Sequence, residues 1–160
     1  MKTQMKWITA LVLLPLLAFA ASNTLRENLL VREGLSPQTV GGNGDIVTDL
    51  IDMKGYRRAM FVINTGTLGD ADAVFTTSVE DGDNSAHSDS GAVAAANLVG
   101  TASLASFTFG DDDELRTIEY KGIKRYVRLR ITPTLNAGGS AAVGITVIMG
   151  GAENAPVTQQ

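Results

Sequence analysis

The amino-acid sequence predicts an all-β protein, a single β-sandwich of the jelly-roll or immunoglobulin-like kind with about seven or eight strands. Several segments alternate apolar and polar residues with a period of two, which is typical of strands with one buried face. Turns rich in Gly, Asp, Asn and Pro separate these segments, and no alternation of strands with long helices occurs. The chain has 160 residues, enough for one domain with a substantial core, which we expect to span residues 45–157.

Residues 1–20 stand apart from the rest of the chain. Lys2 and Lys6 precede the apolar run WITALVLLPLLAFA, which ends in the small-x-small sequence Ala18-Phe19-Ala20. This pattern predicts a secretory signal peptide, and the apolar run is shorter than the roughly 20 residues of a membrane span. The alternatives are a hydrophobic leader added by an upstream start codon, or an apolar arm kept in the mature protein.

Residues 21–44 are expected to form an N-terminal arm that links the leader to the sandwich. Gly34 and Pro37 stop any helix soon after it begins, so a short helix and an arm are equally compatible with the pattern. The apolar residues of this segment are Leu25, Leu29, Leu30 and Val31.

The first half of the sandwich is expected to hold three strands and a loop. Residues 46–53 read as a first strand, whose acidic residues suit the edge of a sheet. Arg58–Thr65 is apolar on both faces, as in a central strand, and Ala73–Val79 follows it after a turn, so the two are predicted to form a hairpin. Residues 80–91, EDGDNSAHSDSG, contain no large apolar side chain and predict an exposed loop.

The second half is expected to add strands up to the C-terminus. Residues 92–103 are rich in alanine and predict a short helical turn, whereas residues 104–109 alternate like a strand. Residues 115–120, Lys124–Thr132 and Ala141–Met149 complete the predicted set.

A sequence motif occurs twice, 67 residues apart. KGYRRAMFVINT begins at Lys54 and KGIKRYVRLRIT begins at Lys121. In each copy a glycine permits a tight entry, two cations follow at the solvated mouth, and an apolar strand lies behind them. The repeat predicts that the two strands play matching roles in the two halves of the sandwich.

The residue types argue against catalysis. The chain has no cysteine and a single histidine, His87, in a polar loop. A general base needs a positioned partner and shelter from water, so the sequence predicts a solvated surface histidine and no enzyme. No thiolate chemistry or zinc site can be assembled, and we expect neither a cofactor nor a small-molecule substrate.

Hard-cation binding is an alternative for the loop of residues 80–91. Its oxygen-bearing side chains are those of Asp81, Asp83, Asn84, Ser85 and Asp89. The pattern departs from a calcium loop because Ala86 stands where such loops need glycine and Ala92 where they need a closing glutamate. A solvated loop without metal is therefore the prediction here, and also for the acidic turn at residues 111–114.

The basic strand offers the main candidate surface. Arg128 and Arg130 project from the same side of one strand, and Lys124 and Arg125 precede them. They could pair with carboxylates of a neighbouring strand, or dock onto an acidic neighbour in an assembly. The net charge of −4 argues against nucleic acid as the partner. The candidate interface residues are Leu25, Leu29, Leu30, Val31, Lys124, Arg125, Arg128 and Arg130.

The order of these features resembles that of small virion proteins of tailed bacteriophages. The most specific part is Tyr120–Thr134, YKGIKRYVRLRITPT, together with the LRENLLVREGLSPQT, KGYRRAMFVINTG, SVEDGDN and IMGGAENAPV segments. The resemblance implies a head decoration or cement protein, docked as a small homo-oligomer on the major capsid protein of an icosahedral shell. A tail or head–tail connector component is a near alternative.

The leader departs from that resemblance, because virions assemble in the cytoplasm. It favours a second interpretation, an exported periplasmic or cell-surface β-sandwich that binds a glycan or a protein. The predicted location is accordingly the capsid surface of a virion, with the periplasm or the exterior as the alternative.

Overall fold

The computed structural model describes residues 24–154, 157 and 158. The predicted leader at residues 1–20 lies outside them. The described chain folds into two antiparallel sheets with few helical residues, so the predicted all-β class is confirmed. The elements are, in chain order, α1 (Leu25–Asn28), β1 (Leu30–Gly41), β2 (Ile46–Val47), β3 (Ile51–Asp52), β4 (Arg58–Leu68), β5 (Val74–Gly82), β6 (Gly91–Ala92), a 3₁₀ turn (Ala95–Asn97), β7 (Leu98–Val99), α2 (Ala102–Ala105), β8 (Phe107–Thr108), β9 (Leu115–Tyr120), β10 (Tyr126–Thr134) and β11 (Ser140–Gly150).

The two sheets divide the strands by partner rather than by chain order. Sheet A has the order β1-β11-β4-β9-β7, and sheet B has the order β2-β10-β5-β6. The short strands β3 and β8 also belong to sheet B, where they pair with β10 and β5. The two strands that follow the repeated motif, β4 and β10, are thus interior strands of different sheets, as the repeat predicts.

The core lies between the sheets and is built from every second residue of the long strands. Ala59, Phe61 and Ile63 of β4 are completely buried. From sheet B, the side chain of Phe75 stacks on that of Phe107, with 4.7 Å between the ring centroids. Because neither sheet covers its own apolar face, each depends on the other for burial.

The segment expected to be an arm forms part of the sandwich. Leu30–Gly41 is a strand that pairs with β11 along sheet A, and helix α1 is limited to four residues. Gly34 and Pro37 lie inside strand β1 and do not end it. The strand continues past them because its pairing with β11 shifts register on both sides of Leu35. Such bulges at a sheet edge accommodate a proline, which cannot donate a ladder hydrogen bond.

The predicted hairpin between Arg58–Thr65 and Ala73–Val79 is wrong. Strand β4 pairs with β11 and β9, whereas β5 pairs with β10 in the opposite sheet. Both neighbouring positions of β4 are occupied, and the connection after Leu68 crosses from one sheet to the other. The crossing places β4 and β5 in different sheets, so that their buried faces enter the core from opposite sides, which a hairpin could not do.

Two further segments are more broken than the sequence suggests. Residues 46–53 give two short strands, both paired with β10 at the edge of sheet B as expected. Between them, the Thr48 amide donates to the Leu129 carbonyl (3.0 Å), and the Thr48 hydroxyl accepts from the Leu129 amide (3.0 Å). Residues 104–109 are a strand only from Phe107, because Thr101 caps the short helix α2 by accepting from the Leu104 amide (3.1 Å). The alanine-rich turn is present at Ala95–Asn97.

Two phenylalanines separated by one residue provide a test of this core. Phe107 is 1% exposed and Phe109 is 40% exposed. We expect Phe107→Ala to lower the free energy of unfolding by about 3–5 kcal/mol, since it removes a stacked ring and leaves a cavity. Phe109→Ala should cost less than about 1 kcal/mol. Urea denaturation of both variants measures the difference, and equal losses would contradict the assigned packing.

Candidate functional site

The outer face of sheet B carries a line of ion pairs. Glu80 of β5 lies directly opposite Arg128 of β10, whose Nε donates to Glu80 Oε2 (2.7 Å). The Nε of Arg130 donates to the other oxygen, Oε1 (2.8 Å), and Arg130 also pairs with Asp45. The arginines predicted at this face therefore pair with carboxylates of neighbouring strands, one of the two interpretations left open by the sequence.

The protonation state of Glu80 follows from this arrangement. Partial burial raises the pKa of Glu80, but the hydrogen bonds from Arg130 and Arg128 outweigh burial and hold that pKa below its ordinary value. Glu80 therefore stays ionised at neutral pH and holds two cations of one strand at once.

The two cations that precede β10 have partners as well. Arg125 donates through Nε and Nη2 to the two carboxylate oxygens of Asp52 (3.1 and 2.9 Å) and lies 5.0 Å over the ring of Tyr126. Lys124 pairs with Asp83. The hydrogen bond from Arg125 lowers the pKa of Asp52, and that from Lys124 lowers the pKa of Asp83. All four predicted interface cations thus form ion pairs within the chain.

The apolar residues predicted for the interface do not form one surface with these cations. Leu25 and Val31 are 77% and 54% exposed, but Leu30 is buried in the core at 6%. Leu29 is half-buried. Val31 pairs with Ile148 on the outer face of sheet A, the opposite side of the sandwich from the arginines. The structure therefore separates the predicted interface residues into two groups.

The two copies of the repeated motif meet at one end of the sandwich. They line an open groove of about 630 Å³, here called the KG groove. Its backbone is fixed by the Met53 amide donating to the Arg125 carbonyl (2.7 Å) and the Glu153 amide donating to the Gly55 carbonyl (2.9 Å). The residues of the KG groove are Met53, Lys54, Gly55, Tyr56, Arg57, Lys121, Gly122, Ile123, Lys124, Arg125 and Glu153.

The glycines of the two motifs are needed for different reasons. Gly55 has a φ of +83°, in the left-handed region that favours glycine. At Gly122 a Cβ would lie 2.5 Å from the buried ring of Tyr120. The Tyr120 hydroxyl accepts from the Lys124 amide (2.9 Å) and donates to Asp81 Oδ2 (2.9 Å). Burial, together with the bond to Asp81, raises the pKa of Tyr120, so the phenol remains a hydrogen-bond donor.

The loop that follows β5 is more ordered than the sequence suggests. Asp89 folds back and accepts from the amides of Asp83 (2.9 Å) and Asn84 (3.1 Å). His87, expected at the surface, is only 8% exposed and has a left-handed φ of +56°. The capping by Asp89 tightens the turn and directs the imidazole inward, and the sequence alone contains no signal for that closure.

The chemistry of this loop does not favour the calcium alternative. Asp83 pairs with Lys124, while the oxygens of Asp89 accept backbone amides. Across residues 24–154, 157 and 158, no group of three or more His, Cys, Asp or Glu side chains is placed to hold a metal ion. Neither ring nitrogen of His87 has a hydrogen-bond partner within this part of the chain.

The outer face of sheet A differs from that of sheet B. Val31, Ile148 and Met60 lie side by side across β1, β11 and β4, and Val62 adjoins them on β4. Val99 lies at the far edge of the sheet and is 46% exposed, and Glu119 of β9 stands between it and Met60. The sheet A face is defined here as Val31, Met60, Val62, Val99 and Ile148. Val31 and Val99 are the exposed members of this face, Met60, Val62 and Ile148 are half-buried, and the ion pair between Arg58 and Glu119 (2.7 Å) interrupts the apolar row before Val99.

Comparison with known proteins identifies a fold neighbour but no family. No family model and no curated protein matches the chain. The crystal structure of PBSX exported protein XepA is similar, with a TM-score of 0.51 and 13% sequence identity over 80% of this chain. The matched region is 39% of that protein's length. At this identity the likeness concerns the fold. No described helix is both long and apolar enough to cross a membrane.

The ion pairs of sheet B give a first test of this site. We expect Glu80→Gln to lower the free energy of unfolding by about 1–3 kcal/mol, because two partly buried arginines lose their shared carboxylate. Glu33→Gln, at an exposed position of β1, should change it by less than about 0.5 kcal/mol. Chemical denaturation at neutral pH compares the two, and a Glu80→Gln variant as stable as Glu33→Gln would contradict the role of Glu80.

His87 gives a second test through pH. Burial and then Arg128 lower its pKa from 6.5, outweighing Glu80, Asp89 and Asp81, which raise it. Protonation therefore favours the unfolded chain, and stability present above about pH 6.5 should fall between pH 6.5 and 5, by at most about 1.4 kcal/mol per pH unit.

The matched variant is His87→Asn, since asparagine tolerates the left-handed conformation. Its free energy of unfolding should stay flat between pH 6.5 and 5. The stability that depends on the lowered pKa values of Asp52 and Glu80 is lost only at lower pH, below about 4.5. The same slope in both proteins across pH 6.5 to 5 would show that His87 is not responsible.

Proposed function

We propose that this protein is a structural virion protein, a capsid decoration or cement protein that stabilises a tailed-phage head by docking on its shell. The observation that carries the proposal is the difference between the two outer faces. Sheet B has its arginines paired with carboxylates within the chain, whereas sheet A presents an apolar strip that runs from Val31 through Ile148 to Met60 and Val62. Exposed apolar strips of this kind are typical of protein–protein contacts.

The proposal corrects where docking takes place. The basic residues of β10 would lose their carboxylate partners on binding an acidic neighbour, and a partly buried ion pair is costly to break. On sheet A, a partner could contact Val31, Val62 and Ile148 without breaking an ion pair, because the pair Arg58–Glu119 lies to one side of them. The shell-facing surface is therefore assigned to sheet A, with Val31 as the contribution of the predicted interface set.

The sequence resemblance supports the same function. Its most specific segment, Tyr120–Thr134, includes Gly122, which fits against the Tyr120 ring, and the strand that forms the ion pairs with β5. These residues shape a scaffold. A cement protein needs a rigid scaffold that binds through many weak contacts on a symmetric shell, where copies reinforce one another by avidity. The partner is the major capsid protein.

Co-sedimentation with purified phage heads assembled without this protein tests the proposal. We expect the wild-type chain to sediment with the heads and Met60→Glu to bind at least about tenfold more weakly, since a charge on an apolar contact costs more than 1.4 kcal/mol. The control is Thr76→Glu, which places the same charge at an exposed position on sheet B.

The control variant should bind like the wild type, and thermal melting checks that both variants are folded at the temperature of the binding experiment. Wild-type protein that does not sediment with heads would overturn the function. Full binding by Met60→Glu would overturn the assigned face.

The second candidate is an exported periplasmic or cell-surface binding module. The signal-like leader at residues 1–20 favours it, as does a fold neighbour that is itself an exported protein. Mass spectrometry of the native N-terminus distinguishes the two. A mature chain that starts at Ala21 in a periplasmic fraction supports export, whereas recovery from purified particles supports the virion role.

A further inference from the structure

The KG groove and the opposite end of the sandwich each carry charged side chains that are unpaired among the described residues, and the two sets have opposite sign. The KG groove lies where β4 begins, at Arg58, and the acidic connections lie where β4 ends, at Leu68. A strand of this length separates the two ends by roughly 30–40 Å. The acidic end consists of Asp70, Asp72, Asp111, Asp112, Asp113 and Glu114.

Some of the cations that line the KG groove form no ion pair within the described chain. Lys54, Arg57 and Lys121 take part in no ion pair among the residues that the structure describes, in contrast to Lys124 and Arg125 beside them. The lining of the groove also contains Gly55 and Gly122, and its one acidic residue is Glu153. At the rim, Ile123 is 97% exposed. The groove thus combines unneutralised positive charge with an exposed aliphatic side chain.

The acidic end has the complementary composition. Asp111 and Glu114 pair with Arg116, and Asp112 accepts from the Leu68 amide (2.8 Å). Asp72 and Asp113 are exposed and take part in no ion pair within the described chain. Leu115, directly after this turn, is 66% exposed. Exposed carboxylates next to an aliphatic residue therefore match the exposed cations next to Ile123.

We propose that the KG groove binds the acidic end of a second copy of this chain, so that copies associate end to end. The contact is heterologous, because different surfaces of the two copies meet, and an associated pair keeps one free groove on one copy and one free acidic end on the other. A groove-to-groove contact would instead oppose like charges, as would a contact between two acidic ends. Charge complementarity therefore selects the end-to-end arrangement.

The groove is also prepared for binding. Its two walls are joined by the Met53–Arg125 and Gly55–Glu153 backbone hydrogen bonds, and the Arg57 amide donates to the Gly150 carbonyl (3.2 Å). A partner would need to order few backbone groups, which reduces the entropic cost of association. Because the charges are solvent-exposed, the contact should weaken with salt as the screening length falls below about 10 Å.

A charge-swap experiment on the isolated protein tests this contact by sedimentation velocity. At about 20 mM salt the wild type should associate with rising concentration, and at about 1 M salt it should be monomeric. Lys54→Glu/Lys121→Glu should associate at least tenfold more weakly, because it opposes carboxylates to carboxylates. Asp72→Lys/Asp113→Lys should also associate at least tenfold more weakly, because it replaces two exposed carboxylates of the acidic end with lysines that face the cations of the groove. An equimolar mixture of the two variants should associate again into pairs, because the unchanged groove of the Asp72→Lys/Asp113→Lys variant then meets the unchanged acidic end of the other variant.

The controls separate this contact from general charge effects and from misfolding. Thr76→Glu/Thr117→Glu adds negative charge to exposed positions on the two sheet faces and should associate like the wild type. Thermal melting checks that each variant folds, and Asp72→Lys alone replaces the double variant if substitution of the left-handed Asp113 unfolds it.

Three results would overturn the proposal: a wild type that stays monomeric at low salt, a charge-reversed variant that associates normally, or a mixture that fails to associate. The inference goes beyond the proposed function and does not depend on it. A chain that binds heads but stays monomeric alone would overturn only the end-to-end contact, and a chain that associates but ignores heads would overturn only the virion role.

Discussion

The structure depends on one constraint, that the apolar faces of two sheets have no cover except each other. Phe61 and Ile63 of sheet A and Phe75 and Leu129 of sheet B are all completely buried between the layers. This requirement explains why β4 and β5 belong to different sheets instead of forming a hairpin. It also fixes which residues face outward, because side chains alternate along a strand. The chemistry of both outer faces is therefore a consequence of how the inner faces pack.

The two outer faces differ in the chemistry of their side chains. On sheet B, Glu80 lies between Arg128 and Arg130, so the charges of neighbouring strands satisfy one another. On sheet A, the half-buried Met60 and Ile148 lie beside the exposed Val31 and form an apolar strip. A molecule whose charged side chains are paired on one face, and whose other face is largely apolar, is suited to lie flat on another protein. The ends of the sandwich, with opposite charge, would then be free to meet neighbouring copies on the same surface.

The repeated motif links the fold to these proposals. Each copy turns the chain into an interior strand of one sheet, and the copies meet because both strands begin at the same end of the sandwich. Gly55 and Gly122 are required by backbone conformation and by the Tyr120 ring, respectively. The lysines before them are not required by the fold. The turn fixes where each lysine lies but does not need its side chain, so both lysines are well placed to bind a partner.

The sequence by itself determined the properties that depend on near neighbours along the chain. Strand-like patterns identified β4, β10, β11 and the all-β class, but not the 12-residue strand β1, and the motif placed Lys54 and Lys121 at equivalent strand entries. Only the tertiary structure decided what depends on residues far apart. Arg128 meets Glu80 because of the register between β5 and β10, Leu30 is buried because residues 30–41 pair with β11, and His87 turns inward because Asp89 caps its loop. A register or a loop closure is set by packing across the whole sandwich, and a shift of one residue would reverse every side chain of a strand.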